Sequence, residues 1–217
     1  AGSQNWQGIY QEGSENLAFQ SVSGNSGGQS INQFGAVNEA YQTAIGDMNQ
    51  ANINQSGLDN IATQLQTAGS SFANIDQFGE MNVAYQEQGF ANSVYIYQDG
   101  EGNQATQIQT GFNNLDPYGA SIDQIGVDNV SVQNQGGSYG YMRVDFLGNY
   151  NESTQTQFGI YNMAIVHDDN GYHIDTFASQ YQTGDYNHAE IFRYTSPWAD
   201  GSEAYQVQAG SYNEAYI

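Results

Sequence analysis

Few residues in this sequence are placed for metal or nucleophile chemistry. The densest group of ligating side chains is HDDNGYHID, residues 167 to 175, which brings together His167, Asp168, Asp169, Asn170, His173 and Asp175. Oxygen donors there could hold calcium and imidazoles a transition metal, with His167, Asp169, His173 and Asp175 as the candidate ligands. The spacing matches no established loop motif, and a solvated polar loop is the simpler reading. Loss of thermal stability on chelation would favour the metal. Histidine occurs only at 167, 173 and 188, no serine sits in a G-x-S-x-G turn, and there is no cysteine. A nucleophilic triad and a thiolate zinc site are therefore not expected, and the abundant carboxylates read as solvated surface. The expectation is a protein that is not an enzyme and takes no cofactor.

Charge narrows the partners. Two Lys and Arg stand against 23 Asp and Glu, a formal net charge of −21. Phosphate backbones need clustered cations, and only Arg143 and Arg193 are available, so no nucleic-acid partner is expected. No apolar run approaches the roughly 20 residues that cross a bilayer, which argues against membrane insertion. No basic and apolar leader opens the sequence, so an exported form would have had its signal removed. Low hydrophobicity with high charge ordinarily indicates disorder. Ten Phe, 17 Tyr and a strict internal period argue the opposite.

The chemistry that remains is amide hydrogen bonding. In NQANINQSGLDNIATQLQ, residues 49 to 66, Asn, Ala and Gln recur in one order eleven residues apart. Reading every second residue gives a unit N-x-A-x-[IQ]-x-Q-x-G-x-x, whose first slot falls at Asn5, Asn16, Gly27, Asn38, Asn49, Asn60 and onward through Asn82, Asn103, Tyr118 and Asn129 to Asn213. The chain holds 19 such units, the last cut short. Alternation of period two with a glycine after the fourth slot reads as one short strand and a tight turn.

The third slot separates two kinds of strand. In odd units it is Ile9, Ile31, Ile53, Ile75, Ile96, Ile122, Val144, Val166, Ile191 and Ile217. In even units it is Gln20, Gln42, Gln64, Gln86, Gln107, Gln133, Gln155, Gln180 and Gln206. The true repeat is thus 22 residues, and two strand types imply two sheets. The expected fold is an all-β, amyloid-like, flat two-sheet parallel β-solenoid of about 9.5 coils, one domain over residues 1–217. Like residues then lie about 4.8 Å apart along the stack, and stacked amides donate and accept along a ladder. Alanine fills the second slot in 13 of 19 units, which keeps the sheets close. The alternative, with amides in solvent and the intervening Tyr, Phe and Val inside, fits less well because those positions vary widely. Loop insertions are expected near 111–117, 167–175 and 194–201, and both prolines, Pro117 and Pro197, fall in them. Met142, Phe146, Asp168 and Arg193 at inward slots mark the region expected to be least regular.

Eight segments match Q-x-G-x-x-N-x-A: QEGSENLA, QFGAVNEA, QSGLDNIA, QFGEMNVA, QDGEGNQA, QFGIYNMA, QTGDYNHA and QAGSYNEA. The pattern resembles the curlin repeat over nearly the whole chain. The resemblance implies a secreted subunit of an extracellular, cell-surface functional amyloid fibre of the biofilm matrix, with a role in adhesion. It also implies stacking roles for Gln11, Asn16, Gln33, Asn38, Gln55, Asn60, Gln77, Asn82, Gln98 and Asn103, and partner proteins for secretion and nucleation. The chain departs from familiar members in its number of repeats, its acidity and its insertions.

The motif runs from Asn5 to Ile217 without a recognisable cap. Residues Asn5, Gln7, Ile9 and Gln11 at one end, and Asn213, Ala215 and Ile217 at the other, are the expected subunit edges of a homopolymer. An odd number of strands predicts successive subunits related by roughly a half turn. The alternatives are a soluble β-solenoid acting as an adhesin or as a ligand-binding or ice-binding module, a minor nucleating subunit of such a fibre, and an enzyme built on a parallel β-helix.

Overall fold

A computed structural model of the chain describes residues 4–114, 119–168, 173–174, 176–193 and 201–217. The described residues form two parallel sheets stacked as a β-solenoid of about 9 coils of roughly 22 residues, with no helix. Strands alternate between the sheets. One sheet is laid down in the order of strands starting at Trp6, Gly28, Gln50, Phe72, Ser93, Ala120, Tyr141, Met163, His188 and Glu214. A two-residue strand, His173–Ile174, pairs beside Gly148 and Asn149. The other sheet takes the strands starting at Leu17, Glu39, Ile61, Val83, Gln104, Val130, Glu152, Phe177 and Glu203.

Pairing is parallel and in register with the repeat. Ile9 lies beside Ile31, Ile31 beside Ile53 and Ile53 beside Ile75, while Gln20 lies beside Gln42 and Gln42 beside Gln64. A slip of one residue would turn each inward set outward, so the core pattern fixes the register. The core is thin: β-branched residues such as Ile53 and Val144 pack against alanines such as Ala62 and Ala178, all fully buried.

Two devices close each coil. Gly35 and Gly57 have φ of +107° and +135°, and a Cβ on either would overlap the carbonyl of the glycine one coil on. Both the backbone angle and the close approach require glycine there. A second left-handed position falls directly before the first slot and, among the described residues, is filled without glycine at fifteen places, among them Val37, Asp59 and Met81.

Two insertion boundaries differ from the sequence expectation. Residues 111–114 belong to a regular turn, since Gly111 N–H donates to the Gln135 carbonyl and Asn114 occupies the first slot, so the extra residues follow Asn114. His167 belongs to the strand Met163–Asp168, in register between Asp145 and Phe192, so the second insertion begins beyond it.

Candidate functional site

The polar groups that could act in concert are the amide columns between the sheets. Gln20, Gln42, Gln64, Gln86, Gln107, Gln133, Gln155, Gln180 and Gln206 form one unbroken column, each Nε2 donating to the Oε1 of the next at 2.8–3.0 Å. The second amide hydrogen crosses the core: Gln64 Nε2 also donates to the carbonyl of Asn52 at 2.8 Å, and Gln86 Nε2 to that of Asn74 at 2.9 Å. Each glutamine therefore ties its coil to the next and one sheet to the other. Gln42, Gln64, Gln86, Gln107, Gln133, Gln155 and Gln180 are at most 1 % exposed.

Two further columns flank it at the fourth slot. Gln11, Gln33, Gln55, Gln77, Gln98 and Gln124 are joined at 2.6–2.9 Å. The column stops at Phe146, the residue in register with Gln124, and Gln124 Nε2 turns instead to Ser131 Oγ at 2.9 Å. Among the described residues strand pairing continues past Phe146, which interrupts the side-chain ladder, while the side chains of Asp168 and Arg193 lie outside the described residues. Opposite, Gln66 donates to Gln88 at 3.2 Å, and Gln109, Gln135, Gln157, Gln182 and Gln208 form a second run at 2.7–3.1 Å. Gln29 is the exception. It fills a second slot beside Gln7 and Ala51, is fully buried, and neither of its amide atoms finds a partner.

Asparagines lock the turns. Asn60 N–H and Nδ2 both donate to Asn38 Oδ1, at 3.1 and 3.0 Å, and Nδ2 donates on to the Gly79 carbonyl at 2.9 Å. The pattern repeats through Asn16, Asn38, Asn82, Asn103 and Asn129; Asn151 donates only its N–H to Asn129 Oδ1, and the Thr176 hydroxyl donates to Asn151 Oδ1. At the other edge Ser71 N–H donates to Asn49 Oδ1 at 3.1 Å. Asn114 donates to Asn92 Oδ1 there, and the Gly140 N–H to Asn114 Oδ1 at 2.8 Å. The slot assigned to Tyr118, which lies outside the described residues, is thus held by Asn114, and its distance of 22 residues from Asn92 was the available signal.

Of the candidate metal ligands, Asp169 and Asp175 lie outside the described residues, as does the side chain of His173. His167 is an outward strand residue whose Nδ1 lies 2.7 Å from Asp145 Oδ2, and Arg143 pairs with the same carboxylate at 2.7 Å. Among the described residues no group of three His, Asp or Glu is gathered tightly enough to hold a metal. Asp123, in register with Asp145, has its pKa pushed up to about 6, first by burial and then by the neighbouring Asp145 charge, against the pull of Arg143. Tyrosines beside carboxylates behave similarly: burial and then Asp76 raise Tyr95, and the hydrogen bond to Glu39 raises Tyr41.

In the first and last described coils the ladder residues are more exposed than in the coils between. Ile9 and Ile217 are 49 % and 53 % exposed, against complete burial of Ile31, Ile53, Ile75 and Ile96. Among the described residues, the strands Trp6–Ser14 and Leu17–Ser23, and Glu203–Ala209 and Glu214–Tyr216, are each paired on one side only. No family model matches the chain, and no curated protein matches it.

Proposed function

We infer that the chain is a structural subunit of an extracellular, curli-like amyloid fibre, in which identical copies add head to tail by strand pairing. The observation that carries this reading is the polarity of the ladders. In the fourth-slot run from Gln109 to Gln208 each glutamine donates to the one a coil nearer the C-terminal end, so this column can extend in one direction without a reversal. A single strand edge with unpaired N–H and C=O groups is a template for a further strand.

The same reading specifies the join. The strand laid down last, Glu214–Tyr216, is in the sheet of Trp6–Ser14, so the next open level lies over Glu203–Ala209 in the other sheet. A second copy rotated by about a half turn places its Trp6–Ser14 there. Its Gln11 then lies over Gln208, whose Nε2 donates to the His188 carbonyl and keeps one hydrogen to offer. About 9.5 coils at about 4.8 Å give a rise on the order of 45 Å per subunit. Secretion through, and nucleation by, partner proteins of a curli-type system belong to the same reading.

The test is electron microscopy and fibre diffraction of the purified chain after dilution from denaturant. The reading predicts unbranched fibres with a meridional reflection near 4.8 Å. Persistent folded monomers would contradict it.

A further inference from the structure

Tyrosines Tyr139, Tyr161, Tyr186 and Tyr212 stand one above another at the left-handed position of successive turns, with φ of 55°, 58°, 56° and 60°. A bulky residue in this conformation costs about 1–2 kcal/mol. The turn itself does not demand an aromatic, because earlier coils place Ser26, Met48, Ser70, Ala91 and Asn113 at the same position. What the tyrosines share is their stacking. Ring centroids are 4.9, 5.0 and 4.9 Å apart along the column, with interplanar angles of 17°, 22° and 3°. Tyr161, Tyr186 and Tyr212 are 42 %, 47 % and 75 % exposed, so an oxidant in solution can reach these side chains.

We propose that this column is a site of oxidative cross-linking, at which peroxide with a peroxidase joins neighbouring phenols ortho carbon to ortho carbon. Each of two phenols gives one electron and its hydroxyl proton to the oxidant. The two phenoxyl radicals then form a carbon–carbon bond, and the hydrogen on each joined carbon moves to that ring's own oxygen. Two phenols and one hydrogen peroxide give one dityrosine and two waters. Parallel stacking keeps neighbouring rings close before either is oxidised, so coupling inside the folded chain does not wait on diffusion. The links would span the chain where its repeat is interrupted: Tyr161 and Tyr186 flank the insertion after Asp168, and Tyr186 and Tyr212 flank the one after Arg193. Cross-links across such loops restrain the unfolded chain, so they fasten together neighbouring coils whose sequence connections are longer than elsewhere. The inference does not depend on fibre formation.

The folded chain, treated with hydrogen peroxide and a haem peroxidase, should develop dityrosine fluorescence, with linked peptides that pair Tyr139 with Tyr161, Tyr161 with Tyr186, and Tyr186 with Tyr212. Tyr186→Phe should reduce the yield to that of the Tyr139–Tyr161 pair. Tyr212→Phe, at the exposed end of the column, removes one pair only and serves if Tyr186→Phe disturbs folding. Tyr41→Phe, outside the column and hydrogen-bonded to Glu39, should leave the yield unchanged. Cross-linked chain should unfold at higher temperature than untreated chain. Equal yields from urea-unfolded protein, links spread over tyrosines outside the column, or links formed chiefly between molecules would overturn the proposal.

Discussion

A buried primary amide alone is a poor core residue, since each unpaired group costs roughly 1–3 kcal/mol. Gln64 escapes that cost because it accepts from Gln42, donates to Gln86 and donates across the core to the Asn52 carbonyl. Replacing Gln64 by Ala would strand the Gln42 donor and the Gln86 acceptor together, so a loss of about 2–5 kcal/mol is expected from urea unfolding. Gln29 makes the contrast, because its amide atoms have no partner to lose, and Gln29→Leu should leave stability unchanged or raise it in the same assay. The titrating residue of the outer face behaves differently again. Folding raises the Asp123 pKa from 3.8 to about 6, so the folded state binds the proton more tightly than the unfolded chain. Stability from this group is therefore present in full below about pH 4 and lost as pH rises through about 6. Thermal midpoints should fall over that interval, and Asp123→Asn should flatten the slope.

At the scale of strand and turn, much of the architecture was readable because the same eleven-residue spacing recurs and the third slot alternates strictly between β-branched residues and glutamine. The alternation identified two sheets, and the structure pairs Ile with Ile and Gln with Gln. The spacing alone puts the break before the turn, whereas Asn114 bonds to Asn92 in the first slot and the extra residues follow it. His167 opens a polar run that reads as a loop, whereas its backbone continues the pairing with Asp145. The left-handed turn residues carry no composition signal: Glu15, Val37, Met48 and Tyr150 share a backbone angle that only their place before an inward slot explains. Glycine at the other turn position is legible and testable. Gly57→Ala introduces both an unfavourable φ and overlap with the Gly79 carbonyl, and is expected to cost at least about 1–2 kcal/mol in chemical unfolding.

The whole molecule carries a formal charge of −21 with its acids on the outer faces. Under the proposed assembly, like charge repels at low salt and is relieved by protonation or counterions. Fibre growth followed by dye fluorescence should accelerate as pH falls or as divalent cations are added, and growth slowed by acidification would count against the assembly reading. The central claim is that the fourth-slot glutamine ladder and the asparagine ladder continue from one molecule into the next. Helical reconstruction of fibres grown from this chain measures it most directly. The account predicts a rise on the order of 45 Å and a rotation of about a half turn per subunit, with Gln11 of one copy over Gln208 of another. A rotation near zero, or subunits that meet side by side with their terminal strands unpaired, would contradict it.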